Sequence, residues 1–146
     1  MSIVPNYVPR DSKTINIFLT VNDGEKALRF YNNAFGAEIT QKLVDPNGII
    51  QYAEIKIEDT VIMLYEDKNF SNPKGVTIQM YTGDVEGLYE SAIMAGAEEV
   101  SKVEMQFYGD RAGKIRDPFG YEWLLATRVE TLAPNELKER FNALYN

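Results

Sequence analysis

The sequence of 146 residues contains no cysteine and no histidine. Without cysteine the chain has neither disulfides nor thiolate ligands, and without histidine it lacks the commonest metal ligand and general base. Structural zinc, haem held by His or Cys, and Ser-His or Cys-His nucleophilic machinery are therefore excluded within one chain. An oxygen-rich site for a hard cation, or acid–base chemistry by Asp, Glu, Tyr or Lys, remains open.

Long apolar runs and an excess of positive charge are also missing. No stretch approaches the roughly 20 apolar residues of a membrane span, and residues 1–11 lack the apolar segment of a signal peptide. There are 15 basic against 22 acidic residues, a formal net charge of −7, so the average field repels phosphate backbones and anionic membranes. We expect a cytoplasmic protein that has neither nucleic acid nor membrane as a partner.

The composition that remains is typical of a folded globular protein. Hydrophobic residues make up 45% of the chain and charged residues 25%, which is too apolar for a disordered chain. A chain of 146 residues can bury a real core but cannot hold two large independent domains. We therefore expect one domain, residues 1–146, which can consist of two small halves.

An internal repeat divides the chain in two. The tripeptide Gly-Ala-Glu occurs at 36–38 and again at 96–98, 60 residues later, and each copy closes a helix-like segment. A strand-like run precedes each helix, at 15–21 and at 76–81. The glycine after each helix can supply the left-handed conformation that ends it. Both halves therefore begin as strand, cap and helix.

Both predicted helices are amphipathic. Asp23 and Asp84 stand where helix caps belong. The apolar faces comprise Ala27, Leu28, Tyr31, Ala34 and Phe35 in the first helix, and Val85, Leu88, Tyr89, Ala92 and Ala95 in the second. Each face predicts packing against a sheet.

Three further strand-like runs follow each helix. They are 37–44, 50–57 and 60–65 in the first half, and 98–107, 112–116 and 121–127 in the second. Asp-Pro-x-Gly turns at 45–48 and 117–120 place proline early and glycine where a positive φ is needed. The sequence thus predicts an α+β fold, in which two β-α-β-β-β repeats, 14–67 and 75–130, form a cupped mixed β-sheet, plus a C-terminal helix at 133–144.

Each predicted strand has two different faces. The aliphatic face of the first strand, which should pack on the helices, comprises Ile15, Ile17, Leu19 and Val21. The mixed faces comprise Asn16, Phe18 and Thr20, then Tyr52, Glu54 and Lys56, then Thr77, Gln79 and Tyr81. Polar and aromatic side chains that converge from curved strands are typical of a small-ligand pocket.

These features resemble the vicinal oxygen chelate superfamily of glyoxalase I and bleomycin-resistance proteins. The resemblance rests on the two repeats and on Phe-Tyr-Asn-Asn-Ala-Phe-Gly-Ala-Glu at 30–38. The segment Phe-Tyr-Gly-Asp-Arg-Ala-Gly-Lys-Ile-Arg-Asp-Pro-Phe-Gly-Tyr-Glu-Trp at 107–123 is similar to the hallmark segment of its PhnB-like branch. The resemblance covers 15–144 and implies the fold, but not one function, because the superfamily spreads many activities over one scaffold.

The resemblance also implies four metal-ligand positions, as found in metal-dependent members. Here they fall on Asn16, Glu54, Thr77 or Ile78, and Leu124. Only Glu54 is a good ligand, whereas a Mg²⁺ or Ca²⁺ site typically needs about six oxygens. We therefore expect neither a metal nor another cofactor.

Two charged candidates each have a structural alternative. Glu54 is a candidate general base or ligand-anchoring carboxylate, and its alternative is a strand glutamate paired with Lys56 or an arginine. Arg111 is a candidate clamp for a carboxylate or phosphate, and its alternative is a bridge to Asp110 that shapes the loop.

The aromatic candidates are Phe18, Tyr52 and Trp123, which could stack on a flat or apolar ligand. Their alternative is core packing, which we favour for Trp123. The other members of the candidate ligand-binding set are Asn16, Gln79 and Tyr108.

Two functions remain open. The first, to which we lean, is a metal-independent small-molecule binding protein of the bleomycin-resistance type that sequesters an aromatic or cationic ligand. The second is a metal-independent isomerase or lyase, in which Glu54 abstracts a proton and Tyr52, Tyr108 or Arg111 stabilises the developing charge. Glyoxalase and extradiol dioxygenase chemistry is not expected, because both need an open coordinated metal.

The resemblance further implies a symmetric homodimer. The apolar strands and the last helix could supply its interface. The apolar stripe of that helix comprises Leu137, Phe141, Leu144 and Tyr145.

Overall fold

The computed structural model describes residues 7–9 and 12–146. Most of residues 1–11, on which the absence of a signal peptide was argued, lie outside this description. Among the described helices, none combines the length and the apolar composition that a membrane span requires. The chain divides into two compact units, Met1–Ser71 and Asn72–Asn146, here called unit 1 and unit 2. One predicted repeat falls in each unit, and the single domain over 1–146 stays a prediction.

Unit 1 has one helix and a four-stranded mixed sheet. Its elements are β1 (Phe18–Val21), α1 (Gly24–Phe35), β2 (Glu38–Val44), β3 (Ile50–Ile57) and β4 (Thr60–Glu66). The strand order is β1-β4-β3-β2, in which β1 runs parallel to β4 and the other neighbours are antiparallel.

Unit 2 repeats this arrangement and adds a helix. Its elements are β5 (Thr77–Tyr81), α2 (Val85–Ala95), β6 (Glu98–Met105), β7 (Asp110–Arg116), β8 (Glu122–Arg128) and α3 (Pro134–Ala143). The strand order is β5-β8-β7-β6, with β5 parallel to β8. The predicted α+β class, the two β-α-β-β-β modules and the C-terminal helix are confirmed.

The helices begin and end as their sequences predict. The Asp23 carboxylate accepts a hydrogen bond from the N–H of Lys26, and Asp84 accepts one from Gly87, so both aspartates are N-caps. Gly36 closes α1 in the left-handed region at φ 70°. The whole predicted apolar face of α1 is buried.

A side-chain acceptor near the end of one strand anchors the start of α1 and of α2. In unit 1, the Glu66 carboxylate accepts from the N–H of Gly24, at 3.0 Å, and from that of Ile50, at 2.8 Å. Sixty-one positions later, the Thr127 hydroxyl accepts from the N–H of Val85 at 3.1 Å. The two repeats therefore satisfy equivalent helix-start donors with different chemistry.

The two Asp-Pro-x-Gly turns share one hydrogen-bond pattern. In each, the aspartate accepts from the backbone N–H groups two and four residues later and from a side chain six residues later. The donors are Asn47, Ile49 and Gln51 after Asp45, and Phe119, Tyr121 and Trp123 after Asp117. The glycines adopt φ 83° and 97°, as the turns require.

Strand β1 begins at Phe18, three residues later than predicted. The Asn16 side chain accepts from the N–H of Lys13 and donates to its carbonyl, which holds the chain in a local turn. Ile15 is 81% exposed, so only the later half of the predicted aliphatic face, Leu19 and Val21, is buried.

Candidate functional site

The mixed face of β3 is the candidate site in unit 1. Tyr52, Glu54 and Lys56 share this face because alternate residues of a strand point the same way. The Tyr52 hydroxyl donates to Glu54 Oε2 at 2.7 Å. The centroid of the Phe18 ring, on β1, lies 6.2 Å from that of the Tyr52 ring. Phe18 is 59% exposed. We call Phe18, Tyr52, Glu54 and Lys56 the Tyr52 face.

Burial and the neighbouring carboxylate keep the Tyr52 phenol protonated. Burial, together with the hydrogen bond to Glu54 and its negative charge, raises the pKa of Tyr52 to about 12. The phenol therefore remains a hydrogen-bond donor well above neutral pH. It occupies Oε2 of Glu54, while no described residue donates to Oε1.

A cavity of about 380 Å³ adjoins Glu54. Its walls are polar apart from one aliphatic side chain, and they comprise Ser12, Lys13, Thr40, Glu54, Lys56, Asp59 and Val61. Among the described residues no ion pair joins Glu54 to Lys56 or to an arginine. Glu54 is thus held by a tyrosine and open to a cavity. It is not neutralised by Lys56 or by a described arginine, as the alternative interpretation of this residue expects.

The corresponding face of unit 2 is an ionic network. Arg116 Nη2 lies 2.8 Å from Glu122 Oε2 and its Nη1 lies 3.5 Å from Glu98. Lys114, which stands 60 positions after Glu54, lies 3.6 Å from Glu122. Arg116 and Glu122 also line a cavity of about 770 Å³ in this unit. Gln79 is exposed beside Leu124 on the same sheet.

A second polar cluster in unit 2 surrounds Asp110, which is 0% exposed. The Tyr81 hydroxyl donates to Oδ2 at 2.6 Å, and Arg128 Nε donates to Oδ1 at 2.5 Å. Burial, followed by the charge of Asp110, raises the pKa of Tyr108 nearby. The predicted bridge between Asp110 and Arg111 is wrong, because neighbouring strand residues point to opposite faces.

Arg111 points to the helix side of its sheet and pairs with Glu86 on α2. Trp123 is 1% exposed and its indole N–H donates to Asp117 at 2.9 Å, so it has the core-packing role that we favoured. Of the predicted site residues, the structure brings together Phe18, Tyr52 and Glu54. Asn16 lies apart in its turn.

The residues at the four implied metal-ligand positions do not fit a divalent cation. Asn16 Oδ1 is used by the Lys13 backbone, Glu54 Oε2 is used by Tyr52, and Leu124 has no donor atom. In the part of the chain that the structure describes, no group of three or more acidic side chains could hold a metal ion. No metal-dependent step is assigned to these residues.

Comparison with known proteins identifies the family. The model of the Glyoxalase/Bleomycin resistance protein/Dioxygenase superfamily matches residues 14–125. The chain belongs to this superfamily. The match spans both repeats, so the superfamily relationship covers the Tyr52 face and the unit 2 network alike.

Proteins similar to this chain match most of its length. An uncharacterised protein of Mycobacterium tuberculosis is 30% identical over 145 residues, covering 88% of this chain and 85% of its own. The X-ray structure of an Arabidopsis thaliana gene product is 26% identical, with a TM-score of 0.63, and covers 79% of this chain and 98% of its own. A fosfomycin resistance protein from Listeria monocytogenes shares the fold, with a TM-score of 0.65 at 19% identity and coverage of 86% and 98%.

Several residues at these sites were not predicted. The period-two row of β3 did place Lys56 on the same face as Glu54, but Lys56 was considered only as a partner of Glu54 and not as a member of the ligand-binding set. Lys13 lies outside any strand and had no such signal. The contacts of Tyr81 and Arg128 with Asp110 join residues that are far apart in the sequence, which no local pattern reveals.

Proposed function

We propose that the chain is a metal-independent small-molecule binding protein of the PhnB-like branch, which sequesters an aromatic or cationic ligand on the Tyr52 face. The observation that carries the proposal is that Glu54, which lines a cavity of about 380 Å³, is held by a hydrogen bond from Tyr52 on the same strand face. A half-buried carboxylate with one oxygen engaged is fixed in place, and its second oxygen is available to a ligand.

The side chains on this face support that ligand class. The exposed ring of Phe18, beside Tyr52, can stack on an aromatic group. The Glu54 carboxylate attracts a cation, and a net charge of −7 draws cations toward the protein in general. Binding without a coordinated metal agrees with donor atoms that do not fit one.

The test is binding of phenethylamine, an aromatic amine, followed by NMR chemical-shift titration. We expect Glu54→Gln to weaken binding about tenfold, because a charge-assisted hydrogen bond contributes roughly 1.5–3 kcal/mol. Glu90→Gln, which alters an exposed glutamate of α2, is the matched control and should bind as the parent does. Equal weakening by both variants, or no binding by the parent protein, would refute the proposal.

The second candidate, an isomerase or lyase, uses the same carboxylate. Glu54 Oε1 faces no described donor and could accept a proton from a bound substrate. The Glu54→Gln protein separates the two functions, since loss of a turnover that the parent shows would replace sequestration by catalysis.

We also propose that the protein is a cytoplasmic homodimer. Helix α3 has no buried residue, and Phe141, on its apolar stripe, is 44% exposed although its ring contacts Phe107 at 5.8 Å. An apolar stripe exposed in one chain would be covered by a second copy. Light scattering on a sizing column should give twice the chain mass of 16.6 kDa. A mass of one chain would refute the dimer.

A further inference from the structure

We infer that the ligand of the Tyr52 face is zwitterionic, and that an oxyanion group of this ligand, a carboxylate or a phosphonate, binds at Lys13 and Lys56 while its cationic group lies on Glu54. The inference rests on the proposed function, which it deepens by naming the charges of the ligand. It depends on two observations in unit 1 and on a contrast with unit 2.

The two described ammonium groups of the cavity, those of Lys13 and Lys56, form no ion pair with a described residue. In the described residues, no carboxylate lies within 4.0 Å of the Lys13 or the Lys56 ammonium. The two carboxylates of the same cavity have other partners, since Glu54 accepts from Tyr52 and Asp59 accepts from the Thr60 hydroxyl. Charges of opposite sign therefore line one cavity without neutralising each other.

The spacing along β3 places the backbone positions of Glu54 and Lys56 a ligand-sized distance apart. Lys56 follows Glu54 by two residues on the same face, so their strand positions lie about 7 Å apart. Tyr52 precedes Glu54 by the same step. The row thus presents an aromatic ring, a carboxylate and an ammonium in that order. A compact molecule with a ring, a cationic group and an oxyanion would match all three.

At the repeat-related positions of unit 2, the cation is paired with a carboxylate of the same unit. Arg116 stands 60 positions after Lys56, and each faces one residue of the next strand. Arg116 faces Glu122 and pairs with it at 2.8 Å, whereas Lys56 faces Val61, which cannot pair. The cation of unit 1 therefore keeps its binding capacity, while that of unit 2 does not.

The test compares molecules that share one skeleton. Phenylalanine carries both charged groups, and phenethylamine lacks the carboxylate. The phosphonate analogue of phenylalanine carries a phosphonate in place of the carboxylate. We expect phenylalanine to bind about tenfold more tightly than phenethylamine at low salt, because a charge-assisted contact is gained. The phosphonate arm tells which oxyanion the lysines prefer, and tighter binding than phenethylamine by either analogue supports the inference.

Lysine variants assign that gain to the cavity. Lys56→Met and Lys13→Met should each reduce the advantage over phenethylamine, whereas Lys26→Met, which alters an exposed lysine of α1, should leave it intact. If both oxyanion analogues bind no better than phenethylamine, or if Lys26→Met has the same effect, the inference is wrong. Binding of phenethylamine that still depends on Glu54 would then leave the proposed function standing.

Discussion

Replacing Asp117 with alanine should lower the free energy of unfolding by about 3 kcal/mol. Asp117 is 3% exposed and accepts hydrogen bonds from three donors, two backbone N–H groups of its turn and the indole of Trp123. Removing the carboxylate would leave these buried donors without an acceptor. Each unpaired donor then lowers the stability by the free energy of its desolvation. Urea unfolding at neutral pH, monitored by the fluorescence of the single tryptophan, measures the loss.

The matched control for this change is Asp45→Ala. Asp45 makes the same pattern of contacts in the first Asp-Pro-x-Gly turn, but the turn is largely exposed. Water can replace the lost acceptor there, so the free energy of unfolding should fall by less than half as much as in Asp117→Ala. Equal losses in the two variants would show that burial is not what makes Asp117 important.

Replacing Glu66 with glutamine should cost about 2 kcal/mol at neutral pH and much less in acid. Burial alone would raise the pKa of Glu66, but the N–H groups of Gly24 and Ile50 and the Lys68 ammonium outweigh it and hold the pKa below its ordinary value. A carboxyl whose pKa is lowered on folding contributes stability above its unfolded pKa, and that stability is lost as the pH falls through the folded pKa. The parent and the variant should therefore converge below about pH 4.

The check is a series of urea unfolding curves from pH 7 down to pH 3 for the parent, for Glu66→Gln and for Thr127→Val. Thr127→Val removes the equivalent acceptor of unit 2, which carries no charge, so its cost should not vary with pH. A constant difference between the parent and Glu66→Gln over the whole range would contradict the role assigned to the charge.

Much of the fold was predictable because its signals are local. The amphipathic faces of α1 and α2, the aspartate caps and the Asp-Pro-x-Gly turns each depend on residues within a few positions of one another. The start of β1 was missed for a local reason too, since Asn16 bonds to Lys13 and competes with the strand ladder.

The site was only partly predictable. Strand periodicity placed Tyr52 and Glu54 on one face, but it could not show that they bond to each other rather than to Lys56. Arg111 and Trp123 were chosen for their chemistry, and the structure places them on the helix side of the sheet, where Glu86 and Asp117 engage them. Choosing between partners requires distances, which residue types do not supply.

The irregular outer strands bear on how the protein avoids aggregation. Strands β2 and β6 are edge strands of their sheets, and every residue of β2 is exposed. Both have register shifts against their neighbours, as β-bulges produce. A straight, exposed edge is a template on which another chain can add a strand, whereas a bulged edge offers an interrupted row of hydrogen-bonding groups. The bulges thus protect these edges from intermolecular strand addition, even though β2 exposes apolar side chains.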